Sequence, residues 1–170
     1  MRQQSEYISV FSALANCEPG TPDMVYLFVQ EQGIPLESDY PAYTGIPGKC
    51  QSNKVNKVKL TSVTRVQAKS VSQIKAAVSR GPVLAGIDAT STLFQVALPE
   101  DFIIDEDNVD CSPENINHSV VIVGYTDEYF IVMDSLGTDV GYQGFYKFAM
   151  RDNSPGPCGI NMFVEFPYFN

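Results

Sequence analysis

The sequence predicts an α+β protein in which a helical N-terminal part precedes a β-rich part. Three observations carry this. Helix start and stop signals occur only up to Pro82. After it the chain breaks into short runs rich in β-branched and aromatic residues. Short loops join several of these runs, which favours antiparallel pairing. The reading divides the chain into residues 1–62 and 63–170.

Residues 1–20 open without a capping or strand signal. Pro22–Gln32 reads as a helix: Thr21 can cap it, Pro22 suits its first turn and Gly33 can end it. Met24, Leu27 and Phe28 share one face, the one expected to pack. Residues 33–62 are turn-rich, punctuated by Gly33, Pro35, Pro41, Gly45, Pro47 and Gly48. A second helix is expected at about Val71–Arg80, with Ser70 and Gln73 in a capping-box pattern and Gly81-Pro82 as the stop. Strands are expected at Val83–Asp88, Phe102–Ile104, Ser119–Tyr125, Tyr129–Asp134, Gly144–Ala149 and Asn161–Phe166.

One hairpin brings chemistry together. Pairing Tyr125 with Tyr129 across Thr126-Asp127-Glu128 and counting back puts His118 within a residue or two of Asp134. Neighbouring strands lie about 4.8 Å apart, so ring and carboxylate can meet. A carboxylate that fixes the tautomer and orientation of an imidazole makes it a general base. On hairpin geometry alone a structural histidine at a strand end is the commoner case, because single His–Asp contacts are common. A base also needs a nucleophile, and no GxSxG motif occurs.

Composition narrows the function. The 170 residues are 44% hydrophobic and carry a net charge of −9. An acidic surface repels phosphate backbones and anionic lipids, which argues against nucleic-acid and membrane partners, and no apolar run is long enough to span a bilayer. A single histidine excludes a His-rich metal site, and the acidic residues between Glu100 and Asp110 lack the EF-hand spacing, so no metal and no cofactor are expected. Four widely spaced cysteines suit two disulfides and an oxidising compartment: secreted, lysosomal or vacuolar. No signal peptide opens the chain, which suggests that Met1 is not the start of the original gene product.

Asn117-His118-Ser119-Val120-Val121-Ile122-Val123-Gly124-Tyr125 resembles the histidine motif of papain-like cysteine peptidases, (D/N)HAVxxVGYG. Asp134-Ser135-Leu136-Gly137-Thr138-Asp139-Val140-Gly141-Tyr142-Gln143-Gly144-Phe145 resembles that family's NSWGxxWGxxGY segment. Glu37–Tyr43 resembles ESxYPY, Gly81-Pro82-Val83 matches GPV, Cys158-Gly159-Ile160 matches CGI, and Phe166-Pro167 matches the terminal YP. The matches run in order along nearly the whole chain. The resemblance implies a partial helical lobe followed by an antiparallel β-barrel-like lobe. It makes His118 the general base and puts Asp134 where an asparagine orients it. Gly20, Pro22, Ile116, Asn117 and Leu136 would line the substrate cleft. Cys111–Cys158 and Cys17–Cys50 would be disulfides.

Four departures from the family point one way. The QGxCGSCWAF block, which supplies the nucleophilic cysteine, is absent from the 170 residues. The orienting asparagine is Asp134. Both tryptophans of the NSWGxxWG segment are replaced, by Leu136 and Val140, which predicts a looser His–Asp pairing. Only four cysteines remain, with none left over from the bridge that would reach the nucleophile segment. The sequence therefore points to a papain-like domain without its own nucleophile, a non-catalytic binding or structural homologue. The alternative is the His-bearing portion of an active endopeptidase whose cysteine lies on a separate segment. The expected occupant of the cleft is a peptide or protein. A partner chain, a second copy or an upstream segment is expected to cover apolar surface that the missing helix leaves behind.

Overall fold

A computed structural model of the chain describes residues 20–42, 44 and 56–169. They fall into two compact units: one reaches Val63 and takes in Pro167 onward, and the other is Thr64–Phe166.

In the first unit, α1 (Pro22–Gln32) starts on a proline, whose missing N–H is not needed in a first turn. The Thr21 side chain makes no capping bond. The helix ends at Gly33, whose amide donates to the Val29 carbonyl at 3.1 Å with φ at +72°. Lys59 Nζ donates to the carbonyl of Glu31 at 2.8 Å, a cation at the helix C-terminus. The buried face is Val25, Phe28 and Val29 packed with Leu60. That corrects the face expected above: Met24 and Leu27 are 40% and 56% exposed. After α1, β1 (Ile34–Pro35) pairs antiparallel with β2 (Lys57–Val58), and Glu37–Asp39 form one 3₁₀ turn.

A six-stranded sheet organises the second unit. Its strands are β3 (Leu60–Arg65), β4 (Val83–Ile87), β5 (His118–Tyr125), β6 (Tyr129–Met133), β7 (Phe145–Ala149) and β8 (Val164–Phe169), in the order β3-β8-β4-β5-β6-β7. The division between the units falls within β3 and β8. Helix α2 (Val71–Val78) is capped at Ser70, whose Oγ accepts from the Gln73 amide at 3.4 Å. The reciprocal half of the capping box does not form among the described residues, and the Gln73 side-chain amide donates to Gln67 at 2.8 Å. All five residues of β4 are buried. The core joins Ile74 of α2 to Val83, Ala85 and Ile87, to Val120 and Ile122, and to Phe130 and Val132. Each of these Val, Ile and Phe side chains contributes about 1.5–3 kcal/mol by burial.

Several sequence expectations are corrected. Among the described residues the sheet is open, with β3 and β7 as its edges, and does not close into a barrel. Phe102–Ile104 is not a strand, because only Ile104 bridges, to Phe148. Tyr125 pairs with Phe130 and not Tyr129, because the β5–β6 register shifts between Ile122 and Gly124. This bulge inserts one residue and moves the pairing beyond it. The last strand starts at Val164, not Asn161. Asn161 instead holds the preceding loop, donating to the carbonyls of Arg151 and Ser154 at 3.0 and 3.2 Å.

Candidate active site

Alternation along β5 and β6 sends Val120, Ile122, Phe130 and Val132 into the core, each 1% exposed or less. Carried one step further along each strand, the same alternation places His118 and Asp134 at the end of this buried face. Val121 pairs with Met133, so Asp134 falls opposite Val120 and diagonal to His118. On its other side His118 pairs with Ile87 of β4. Its Nε2 lies 3.0 Å from Asp134 Oδ1. The carboxylate side chain is 0% exposed and the imidazole 26%. This is an ordinary hydrogen-bond distance. The end of the apolar face buries the carboxylate, although Leu136 is itself 53% exposed.

An ionised carboxylate only accepts, so this contact is a hydrogen bond when Nε2 bears the proton, which in the neutral ring leaves the lone pair on Nδ1. Nδ1 makes no hydrogen bond among the described residues. A ring so arranged can take a proton at Nδ1, with the carboxylate facing the resulting cation. Asp134 is held in turn. Its Oδ1 also accepts from the Ser135 amide at 2.6 Å, and its own amide donates to the Gly144 carbonyl at 3.1 Å. Oδ2 is buried without a hydrogen bond among the described residues. Gly144 has φ at +87°, and a Cβ there would meet the Gly137 carbonyl oxygen at 2.9 Å, so the loop that returns to Asp134 closes only on glycine. Nearby, Tyr146 donates to the Phe94 carbonyl at 3.1 Å. Burial and the Asp134 charge push its hydroxyl up to about 12, which keeps it neutral.

Immediately before His118, the Asn117 amide donates to the Ile87 carbonyl at 3.0 Å. The Asn117 side chain accepts from the Ala89 amide at 3.0 Å and donates to Asp88 Oδ1 at 2.7 Å. Asp88 is 1% exposed. Burial raises its carboxyl, but the Ser112 amide, Thr90 and Asn117 donate to it, and the balance lies below the usual value. Ile116 is 40% exposed and rests on two glycines: a Cβ at Gly86 would meet its Cγ2 at 2.7 Å, and one at Gly159 its Cδ1 at 2.8 Å. Gly20, exposed, and Pro22, in the first turn of α1, belong to the first unit.

Cys111 and Cys158 form a disulfide. Cys17 and Cys50 lie outside the described residues. Among the described residues no three His, Cys, Asp or Glu side chains gather as metal ligands, and no helix is long and apolar enough to cross a membrane. Sequence reasoning missed Asp88 and Ser135. An acid directly after five apolar residues was a usable signal for Asp88. Nothing local marked the Ser135 amide.

The family described as papain family cysteine protease matches residues 5–168. Cysteine proteinase 2 of Entamoeba histolytica is 34% identical over 152 residues, which cover 85% of this chain and 45% of that protein. Cathepsin L of Sarcophaga peregrina is 33% identical over 159 residues, covering 89% of this chain and 45% of its own length. Among solved structures, a Carica candamarcensis cysteine protease in complex with E-64 aligns with a TM-score of 0.76 at 27% identity, over 91% of this chain and 70% of that one. Bromelain protease from Ananas comosus, also with E-64, aligns at 0.74 and 25% identity, over 91% and 72%. The chain therefore spans about 45% of the curated relatives it matches.

Proposed function

The chain belongs to the papain family of cysteine proteases, and from that premise we propose that it carries the proton-handling half of a thiol-peptidase site without a nucleophile of its own. By this reading the 170 residues alone form a non-catalytic member of the family that binds a peptide or protein segment beside His118. The observation that carries it is the His118–Asp134 contact of 3.0 Å, with the carboxylate fully buried and Nδ1 left to accept. Both described cysteines are joined in a disulfide, so neither offers a thiol to that nitrogen. The bond also supports an oxidising compartment, secreted, lysosomal or vacuolar.

In the second reading the pair serves an active endopeptidase whose cysteine comes from a segment outside the 170 residues. The observation that favours it is that Nδ1 makes no hydrogen bond among the described residues and the ring is 26% exposed, so it can accept from a thiol. In that case Nδ1 takes the thiol proton, the thiolate attacks the peptide carbonyl, and the imidazolium returns the proton to the leaving amine. On the same footing we propose that a partner chain, a second copy or an upstream segment completes the protein.

Incubation with E-64 and with a fluorogenic peptide amide, read by intact mass and by fluorescence, separates these readings. The chain alone is expected to give neither adduct nor hydrolysis. An E-64 adduct on any of its own cysteines would overturn the nucleophile-free reading. Hydrolysis by a longer form that carries an extra cysteine, abolished by His118→Ala, would establish the second.

A further inference from the structure

The run Val120-Val121-Ile122-Val123 is apolar at every position, so burial alone does not strongly choose which alternate set faces the core. A slip of one residue would turn His118 away from Asp134. Something polar has to set the register at the start of β5.

We propose that Asp88 is the positioning residue for His118, acting through Asn117. Asp88 directly follows β4, is 1% exposed, and gathers four donors, of which the Asn115 side chain, 3.4 Å from Oδ1, is the longest. Its Oδ2 takes the Ser112 amide at 2.7 Å, and its Oδ1 takes the Thr90 amide at 3.0 Å and the Asn117 side chain at 2.7 Å. Its own amide donates to the Cys158 carbonyl at 2.9 Å. Ser112 follows Cys111, so backbone beside each half of the disulfide is tied to this one residue. Asn117 is then held by three hydrogen bonds, all to residues 87–89. The next residue, His118, is thereby locked opposite Ile87. Asp88 touches neither the ring nor Asp134. It fixes where β5 starts, and with that which face His118 occupies.

The inference rests on His118 and Asp134 being the working pair, and the test separates the two claims. His118 is the one histidine of the chain, so selective ¹⁵N-histidine labelling gives a ring spectrum that needs no assignment. Nitrogen shifts report the tautomer and the Nε2–H···Asp134 bond. Asp134→Ala defines the spectrum of a ring without its partner. Asp88→Asn and Asn117→Ala, with near-UV circular dichroism as the check on folding, are expected to move the ring signals most of the way toward that spectrum. Folded variants whose ring signals overlay the wild type would overturn the role of Asp88. If Asp88→Asn does not fold, Asn117→Ala decides alone, since it leaves Asp88 its two backbone donors. An Asp134→Ala spectrum identical to wild type would remove the pair itself, and with it both claims.

Discussion

Asp134 does three things at once: it accepts the ring proton of His118, accepts the Ser135 amide, and places a charge near Tyr146. Asparagine can supply the same Oδ1 to both donors, so Asp134→Asn should keep the Nε2–H tautomer, seen as an unchanged pattern of ring nitrogen shifts. Asp134→Ala leaves two donors without an acceptor and should cost about 1–3 kcal/mol in urea unfolding. Tyr146 gives a prediction of its own. Burial and Asp134 raise its hydroxyl from 10 to about 12. A raised value means that the folded state favours the neutral form, so this stabilisation is complete below 10 and is lost as pH rises toward about 12. Tyr146→Phe removes the bond to Phe94 and should cost about 1 kcal/mol at neutral pH. The same variant should lose less stability than wild type on going from pH 9 to 12 in paired unfolding curves.

At the scale of elements, the loops that frame the hairpin matter as much as its strands. Gly144→Ala meets both a left-handed φ of +87° and the Gly137 carbonyl, and should destabilise by about 1–3 kcal/mol. Because the Gly144 carbonyl holds the Asp134 amide, the His118 ring spectrum should shift with it. The disulfide closes 47 residues that include β5, β6 and β7, and Cys111→Ser with Cys158→Ser should cost about 2–4 kcal/mol. These elements were unequally legible. The bounds of α1 followed from Pro22 and Gly33, because proline and glycine chemistry is local, even though Thr21 makes no side-chain cap. Counting back from the short Thr126–Glu128 turn brought His118 near Asp134 for the same reason. The one-residue bulge after Ile122 was hidden, since an unbroken apolar run reads alike in either register. β3 was hidden because only Leu60 in it is buried, an edge strand without alternation. The partners of Asp88 could not be read from sequence, as Ser112 and Asn117 lie 24 and 29 residues away.

On the scale of the whole molecule, the described residues of the two units hold very unequal cores. The described core of the first is Val25, Phe28, Val29 and Leu60, flanked by Tyr26, Ile34 and Val63. The second buries nineteen residues in one cluster, from Val66 to Phe166. Local opening free energy follows buried apolar contact, so the units should not open together. Hydrogen exchange followed by mass spectrometry should find the α1 amides exchanging by a sub-global opening. The β4 and β5 amides around Val83, Val120 and Ile122 should exchange only through global unfolding. His118 and Asp134 stand at the end of the larger core, so their contact should outlast the loss of α1. In a urea series, the ring signals should hold their native positions through the range where α1 amides have become unprotected, then change with β5. If the ring signals changed together with α1, the site would depend on the smaller core, and the site geometry would not be secured by the β4–β5–β6 sheet alone.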